Sequence, residues 1–487
     1  MNLRELTSRL GGLAPESFLR RGGVVLDSRL GSPIRELFDH RAFPDRGWSD
    51  DQLEHLLLLL SSMDTDKDPK AARVGEREAR LASPLLSRLS GGFNHGVGRS
   101  GDLSAPQPKA PGASVVQALA SRVATSALKK LSLANCAASV VLPVGTGMGL
   151  FFCLAAARAR LARENNGGGT RDGHGTSTSK TTARAWTPEP SPWSQPGFPT
   201  KVVVPRLDHK SPLKAVELAG FEPVVVPSEL NGDEVRVPPE RVEEAVDESV
   251  AAILSTTTFF PPRAPDDLKA IAKVAKSAGV AHIVNNAYGV QHPSYLKSIR
   301  SAADAGRVDY VVQSTDKNFL TPVGGSIVAT FEERAAVDLA KCYAGRASAA
   351  PIVHFLVAAL SLGLEGYREL QRRQVENRRL LEEYLSRLAD QLGERVMDVD
   401  NPIAAAMTLR GLPPDARRAV GGALYSLRVT GPRVVDPAAG GWGTCHDAYP
   451  NPYVVVNAAI GARPAHVTAA VERLGKAIEQ VQSRRGR

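Results

Sequence analysis

The sequence predicts an α/β fold, in which helices connect the strands of a parallel β-sheet. Short apolar runs rich in β-branched residues alternate with helix-like stretches through the middle of the chain. A glycine-rich loop joins one such run to a helix, and a lysine closely follows another. The predicted strands are Val202 to Val204, Glu222 to Val226, Val250 to Ser255, Ala281 to Val284, Val308 to Val312 and Ser326 to Thr330.

Lys317 is the lysine that follows a predicted strand, and a turn containing Pro322, Gly324 and Gly325 comes directly after it. A lysine at the end of a buried strand is costly unless its charge is paired or its amine is used chemically. One such use is a Schiff base with a carbonyl compound, most often pyridoxal phosphate (PLP). Because a lone lysine is usually a surface residue, this interpretation depends on two further stretches.

Asn285 ends another predicted strand, and a helix-like stretch, Ser294 to Ala305, separates it from the strand before Lys317. A strand, a helix and a second strand form a right-handed unit with parallel strands. The ends of both strands then face the same edge of the sheet. We therefore expect Asn285 and Lys317 to face one site.

The third stretch is the loop Gly145, Thr146 and Gly147, which lies between a predicted strand and a helical run ending near Arg163. Backbone N–H groups at a helix N-terminus, exposed by glycines, bind phosphate. The loop alone is weak evidence, but its position before Asn285 and Lys317 predicts a PLP site with the phosphate on this loop. Ser314, in the segment that carries Lys317, is also predicted to bind the cofactor.

Residues 1–112 are predicted to form an N-terminal helical extension that ends in a phosphate-binding loop. Leucines recur at helical spacing near residues 53–60. The following segment is rich in glycine and carries Arg99, Ser100, Gln107 and Lys109. Backbone amides with Arg and Lys suit the capture of a phosphate dianion, and an ordinary basic loop is the alternative.

Two further domains are predicted: a large PLP-binding domain at 113–350 and a small C-terminal α/β domain at 351–487. Within the large domain, residues 164–200 contain runs of Gly, Ser, Thr and Pro with almost no aliphatic residues. This composition predicts a flexible insertion. The small domain is predicted from a long helical run, about Ile352 to Leu392, and from strands Ala404 to Leu409 and Val454 to Asn457.

Composition favours an intracellular protein with an anionic partner. The formal net charge is +9, which suits nucleic acid or phosphate, although a modestly basic balance is common. The four cysteines are sparse and lack the spacing of metal ligands, so we expect a reducing compartment and no metal. The N-terminus has no apolar core and the run Leu56 to Leu60 is too short to span a bilayer. We therefore expect a cytoplasmic protein without a membrane span.

Six motifs together resemble the O-phosphoseryl-tRNA(Sec) selenium transferase family from about residue 15 to 480, outside the insertion. They are Gly75-Glu76-Arg77-Glu78, the stretch His95 to Asp102, Gln107-Pro108-Lys109-Ala110, the stretch Val284 to Gln291, Asp316-Lys317-Asn318-Phe319 and Gly345-Arg346-Ala347-Ser348. The resemblance implies the aspartate-aminotransferase fold (fold type I) and a homotetramer. It also implies PLP on Lys317 and the conversion of O-phosphoseryl-tRNA(Sec) to selenocysteinyl-tRNA(Sec) with selenophosphate.

The resemblance also implies roles for individual residues. Arg77 would bind the cofactor, Glu76 would repel free amino acids, and Arg433 would read the discriminator base of the tRNA. The substrate phosphate would be bound by Arg99, Ser100, Gln107 and Arg346, with Lys109 in the same motif.

Three positions depart from the patterns expected. Asn285 stands where enzymes of this fold carry an acidic partner for the pyridine nitrogen. His209 replaces a usual glutamine, and Asp304 replaces a basic residue.

Two other functions remain open on the sequence alone. A PLP-dependent lyase or desulfurase acting on a free small amino acid would turn over O-phosphoserine without RNA. An RNA-binding scaffold with a degraded PLP fold would lack the cofactor. Glu76 and the basic charge argue against the first, and the presence of Lys317 argues against the second.

Overall fold

The computed structural model describes residues 9–165, 198–440 and 442–483. The predicted insertion at 164–200 lies mostly outside these ranges. The helices are α1 (Glu16–Leu26), α2 (Ser32–His40), α3 (Asp50–Ser61), α4 (Pro84–Leu89), α5 (Pro111–Lys130), α6 (Thr146–Asn165), α7 (Lys210–Leu218), α8 (Pro239–Glu244), α9 (Leu268–Ala278), α10 (Pro293–Ala305), α11 (Thr315–Phe319), α12 (Glu333–Ala340), α13 (Ala350–Leu392), α14 (Pro414–Ser426) and α15 (Pro464–Ser483).

The strands form a large sheet, a small sheet and a hairpin within the described ranges. They are β1 (Ala138–Leu142), β2 (Lys201–Pro205), β3 (Glu222–Val226), β4 (Glu229–Asn231), β5 (Glu234–Arg236), β6 (Val250–Thr256), β7 (Ala281–Asn285), β8 (Tyr310–Ser314), β9 (Ser326–Thr330), β10 (Ala404–Thr408), β11 (Arg433–Val435) and β12 (Tyr453–Asn457). The large sheet has seven strands in the order β1-β9-β8-β7-β6-β2-β3. The predicted α/β class is confirmed.

Five neighbouring strands of the large sheet, from β3 to β8, are parallel, whereas β9 runs antiparallel to both β1 and β8. In the register of β7 and β8, Asn285 pairs with Val312. This confirms that the two strands are parallel and end at one edge. Strand β8 runs two residues past the predicted end because Gln313 and Ser314, although polar, pair with β9 and are buried.

Helices cover the large sheet closely, and β6 to β9 are buried along their whole length. Gly149 on α6 shows how close this packing is. A Cβ atom at that position would lie 2.9 Å from Val312 Cγ1 and 3.0 Å from Ser326 Oγ, so a side chain would push the helix off the sheet. The residue keeps the start of α6 against the strand that leads to Lys317.

The N-terminal extension contains helices, as predicted, but it shares the core of the large domain. Leu56 and Leu60 of α3 belong to the same buried apolar cluster as the central strands. The Asp64 carboxylate accepts hydrogen bonds from the backbone N–H groups of Gly112 (2.9 Å) and Ala113 (3.2 Å), which caps α5. The division expected between 112 and 113 is therefore crossed by both apolar and polar contacts.

Helix α13 connects the two domains and contributes to both cores. Its first part, including Phe355 and Tyr367, packs in the large-domain core, and its last part, including Leu381 and Leu385, packs in the small-domain core. The division expected between 350 and 351 falls at the start of this helix, whereas the change of core occurs within it. The helix bends at Gly363, whose φ of 58° and contact with the backbone of Arg46 exclude a side chain.

Among the described residues, α13 is also the one helix long and apolar enough to cross a membrane, by length and composition only. Core helices pass the same test, and half of its most apolar window is buried inside the molecule.

The small domain is a three-stranded antiparallel sheet, β10-β12-β11, packed against α14, α15 and the end of α13. Strands β10 and β12 confirm the two strands predicted in this region.

Candidate active site

A cleft of about 530 Å³ opens at the carboxyl ends of β7 and β8, where the large and small domains meet. This edge of a parallel sheet is where α/β proteins commonly bind ligands. The large domain supplies most of the wall, and Ile403, Asn457, Ala459 and Ile460 of the small domain supply the rest. The predicted cofactor residues that line the cleft are Gly145, Thr146, Gly147, Asn285, Ser314 and Lys317.

The glycine loop forms one end of the cleft, and α6 begins at Thr146 within it. The first turn of a helix leaves backbone N–H groups without intrahelical acceptors, and the helix dipole favours an anion there. A Cβ atom at Gly145 would meet nothing within 4 Å, which shows open space beside this turn. The loop can therefore hold a phosphate group.

Lys317 projects from the short helix α11, directly after β8, and not from the strand itself. Asn318 anchors this helix: its Nδ2 donates to the carbonyl oxygens of Ser314 (2.7 Å) and Ala287 (3.0 Å). Phe319 packs against Phe355, with ring centroids 5.0 Å apart. The Ser314 hydroxyl donates to the Asp316 carboxylate within the same turn. The main chain around Lys317 is thus fixed on several sides.

Asn285 presents an unused amide to the cleft. Its Oδ1 atom is buried and has no hydrogen-bond partner among the described residues. The adjacent Asn286 is fully engaged, since Oδ1 accepts from Thr257 (2.6 Å) and Nδ2 donates to Gln313 (3.2 Å). Buried polar atoms are almost always paired, so the Asn285 amide points to a polar atom of a bound group. A pyridine nitrogen can accept a hydrogen bond from Nδ2 of this amide, or donate one to Oδ1 when it is protonated, so the residues present fit PLP.

We predict that Asn285→Ala weakens PLP binding about tenfold, because one hydrogen bond to the cofactor is lost. The measurement is a titration of the apoprotein with PLP, followed by absorbance. Asn135→Ala is a matched control, since Asn135 is a half-buried amide away from the cleft whose Nδ2 donates to the Asp304 carboxylate (2.8 Å). Equal PLP affinity in Asn285→Ala and the parent protein would contradict this role.

His209 also lines the cleft, and the sequence identified it only as a departure from a family pattern. Burial, and then the charges of Lys317 and Arg433, lower the pKa of its imidazole. Nδ1 accepts a hydrogen bond from the Ser211 N–H (3.3 Å), and the ring meets Phe259 edge to face at 5.9 Å. A neutral imidazole in the wall is available for packing on a flat ligand.

The preceding residue, Asp208, fixes this part of the wall to the small domain. Its Oδ2 accepts hydrogen bonds from the backbone N–H groups of Gly443 and Cys445, both at 2.8 Å. These bonds join segments far apart in the sequence, so periodicity could not have revealed them.

Arg433 lies at the rim of the cleft. Its guanidinium carbon is 5.7 Å from the ring centroid of Phe260, which lines the cleft, and its charge acts on His209. A cation over an aromatic ring at the entrance is a suitable contact for a nucleotide base. The structure therefore places the predicted tRNA-end residue beside Phe260, which lines the same cleft as Lys317.

A second cluster of predicted site residues lies outside this cleft. The Arg346 guanidinium donates to the carbonyl oxygen of His95, and the segments that follow these two residues meet through a β-bridge between Val97 and Ala347. Burial, and then the neighbouring charge of Arg77, lower the pKa of Arg346. Two guanidinium groups that repel each other would both gain from a dianion between them.

Most of the remaining predicted site residues in this region are exposed: Glu76, Arg77, Arg99 and Ser100, whereas Gln107 is half-buried. None of these, nor Arg346, is among the residues that line the cleft of the same chain. A single chain thus presents two separate sets of predicted site residues: the cofactor residues that line the cleft, and the arginines predicted to bind phosphate together with Arg77, which was predicted to bind the cofactor.

Lys109 differs from the other predicted phosphate ligands because its ammonium group is paired with a carboxylate of the protein. It forms an ion pair with Glu78 (2.6 Å) and donates to the carbonyl oxygen of Arg77 (3.0 Å). The hydrogen bond from Lys109 lowers the pKa of Glu78. In this structure Lys109 holds the loop that carries Glu76 and Arg77, so it acts on the proposed site through that loop.

The chain has the fold of the PLP-dependent enzymes of fold type I, with the cleft at the carboxyl ends of its parallel strands. The Oryza sativa protein TDC, solved with PLP, superposes with a TM-score of 0.57 at 17% identity over 88% of this chain and 96% of that one, a likeness of fold alone. The family model described as O-phosphoseryl-tRNA(Sec) selenium transferase matches residues 63–166 and 195–479. The chain belongs to this family.

Two relatives and one solved structure support this membership. The O-phosphoseryl-tRNA(Sec) selenium transferase of Methanopyrus kandleri is 46% identical over 96% of this chain and 99% of its own. That of Caenorhabditis elegans is 34% identical over 82% of this chain and 78% of its own. The crystal structure of an archaeal member superposes with a TM-score of 0.84 at 38% identity, covering 96% of this chain and 98% of that one.

The family match omits most of the predicted insertion, which leads to a prediction. Deletion of residues 169–194, with a short Gly-Ser link, should leave catalytic activity within a few fold of the parent protein. This deletion keeps Phe198, whose side chain is buried. Turnover and the thermal midpoint of unfolding would be measured on both proteins. A folded but inactive deletion protein would show that the insertion takes part in catalysis.

Proposed function

We propose that this protein converts O-phosphoseryl-tRNA(Sec) to selenocysteinyl-tRNA(Sec), with selenophosphate as selenium donor and PLP as cofactor. One observation carries the proposal: Lys317 and the unpartnered amide of Asn285 face one cleft beside the N-terminus of α6. Family membership supplies the substrate class, since its named members are O-phosphoseryl-tRNA(Sec) selenium transferases.

PLP, when bound, would withdraw electrons from the α-carbon of the substrate amino acid. Lys317 would hold the cofactor covalently, and its ε-amino group makes no hydrogen bond or ion pair within the described ranges. This amine is the base placed to take the α-proton. Phosphate would then leave the β-carbon and the selenium of selenophosphate would add there. Water would break the Se–P bond and release a second phosphate, and the proton would return to the α-carbon.

Asn285 suits this chemistry because phosphate is a good leaving group. An amide hydrogen-bonds to a pyridine nitrogen but does not stabilise a positive charge on it as a carboxylate does. The site therefore favours a reaction that needs only brief stabilisation of charge on the α-carbon. Elimination of phosphate is such a reaction.

The substrate phosphate would be bound by Arg346, Arg99, Ser100 and Gln107, with Arg77 at the cofactor. Because these residues do not line the cleft of their own chain, we propose that a second copy of the chain supplies them. Exposed apolar side chains on the N-terminal helices, including Phe18 (63% exposed) and Val24 (65%), support a homo-oligomer. A homotetramer is the assembly we propose, in the cytoplasm.

Two residues would restrict the substrate to charged tRNA. Glu76, exposed on the loop held by Lys109, would repel the α-carboxylate of a free amino acid. Arg433, at the rim, would contact the discriminator base of the tRNA. A lyase acting on free amino acids has no need of either feature.

Phosphate release tests this proposal against the lyase alternative. The purified protein with PLP should release phosphate from phosphoseryl-tRNA(Sec) and not from free O-phosphoserine at the same concentration. Seryl-tRNA(Sec), which lacks the phosphate, controls for binding of the RNA alone. Equal or faster release from free O-phosphoserine would overturn the proposal in favour of the lyase.

A further inference from the structure

Gln291 is a buried residue in the wall of the cleft, and it uses both ends of its amide. Its Nε2 atom donates to the carbonyl oxygen of Lys317 (2.9 Å), and its Oε1 atom accepts from the backbone N–H of Ile460 (3.0 Å). The residue is 3% exposed. One side chain therefore connects the main chain of the predicted catalytic lysine to the small domain.

The main chain beside Gln291 is held independently. The Val290 carbonyl oxygen accepts from Gln371 of α13 (3.0 Å), and the Val290 N–H donates to Asn318 (3.1 Å). Because the carbonyl oxygen and the N–H of Val290 are both hydrogen-bonded, the backbone from which the Gln291 side chain extends is held in place. Its two hydrogen bonds therefore fix the Lys317 main chain relative to the backbone of Ile460.

The small-domain turn that receives the bond is also fixed. Asn377 of α13 donates to the carbonyl oxygen of Ala462 (2.8 Å), at the far end of this turn. A second contact between the same turn and the lysine segment comes from Leu320: a Cβ atom at Gly461 would lie 3.2 Å from its δ-carbons. The turn at 460–462 is thus linked to the Lys317 segment twice, through the Gln291 amide and by Leu320 beside Gly461.

We propose that Gln291 is a positioning residue for Lys317, which joins the lysine's main chain to the docked small domain. Removal of its amide leaves the carbonyl oxygen of Lys317 and the N–H of Ile460 without these partners. The inference rests on the proposed function only in taking Lys317 as the reactive amine. Its tests use the protein without tRNA, so they succeed or fail independently of selenium transfer.

The first test is hydrogen exchange of the full-length apoprotein, read at residues 315–320 and at Ile460. In Gln291→Leu we expect both regions to exchange about three- to tenfold faster, the range that one lost hydrogen bond produces. Gln291→Glu keeps an acceptor for Ile460 but loses the donor to Lys317. It should therefore speed exchange at 315–320 and leave Ile460 unchanged.

Gln374→Leu is the matched control. Gln374 is also buried, at 1% exposure, and its amide joins α13 to the small domain by donating to the carbonyl oxygen of Pro402 (2.8 Å). It does not contact Lys317. This variant should leave exchange at 315–320 unchanged even if it lowers the thermal midpoint of unfolding.

The second test is the rate at which apoprotein captures PLP covalently on Lys317, trapped by borohydride. Both Gln291 variants should capture PLP several-fold more slowly than the parent and Gln374→Leu. Unchanged exchange at 315–320 together with an unchanged capture rate would overturn the proposal. Faster exchange across the whole large domain would also overturn it, since Gln291 would then serve general stability.

Discussion

Replacing Lys317 with alanine is expected to abolish turnover of phosphoseryl-tRNA(Sec) while tRNA binding is retained. The variant loses both the covalent attachment of the cofactor and the base that takes the α-proton. Loss of a positioned general base alone costs about a hundred- to ten-thousandfold in rate. The tRNA contact that we propose, Arg433, lies at the rim and is untouched.

The measurements are turnover, visible absorbance of bound PLP, and tRNA affinity by filter binding. Lys273→Ala is the matched control, because Lys273 is exposed on α9 and away from the cleft. It should behave as the parent protein in all three assays. Substantial turnover by Lys317→Ala would exclude Lys317 as the reactive amine.

Replacing Arg346 or Arg99 with alanine is expected to reduce turnover at least tenfold and to leave the absorbance of bound PLP unchanged. The glycine loop at α6 already offers the cofactor phosphate its site, so a second phosphate on the substrate needs its own cations. Hydrogen bonds to charged groups contribute about 1.5 to 3 kcal/mol each, which corresponds to tenfold or more. Arg334→Ala, an exposed arginine on α12, is the control.

If Arg346→Ala lost PLP but regained normal turnover with excess cofactor, the arginine would serve the cofactor instead. Mixed oligomers show which chain supplies it. When Lys317→Ala and Arg346→Ala proteins are unfolded and refolded together, a cleft with Lys317 can meet an intact Arg346 of the other chain. Recovered turnover would support a site built from two chains. No recovery would mean that Arg346 serves the cleft of its own chain.

The sequence was sufficient for the parallel strands that carry Asn285 and Lys317, because their apolar runs and the connecting helix follow local rules. It was insufficient where contacts between distant segments determine where a strand ends or which way it runs. Gln313 and Ser314 look like turn residues, yet the ladder with β9 buries them. The antiparallel course of β9 depends on its pairing with β1, which lies far back in the chain.

In the site, too, residue type and order could be recognised from the sequence, whereas contacts between distant segments could not. The glycine loop and Lys317 were recognised from residue type and order. Lys109 looked like a phosphate ligand, but its ion pair with Glu78 follows from the packing of two distant loops. The two bonds of Gln291 cannot be read from any spacing, because one partner is in the small domain.

Selenium transfer itself is the most direct test of the central claim. Purified protein would be incubated with PLP, phosphoseryl-tRNA(Sec) and selenophosphate, and the amino acid released from the tRNA would be identified by mass spectrometry. The account predicts selenocysteine on the tRNA, with none formed when Lys317→Ala replaces the parent protein or when selenophosphate is omitted. Unchanged phosphoserine on the tRNA, with active PLP-loaded protein and selenophosphate present, would contradict it.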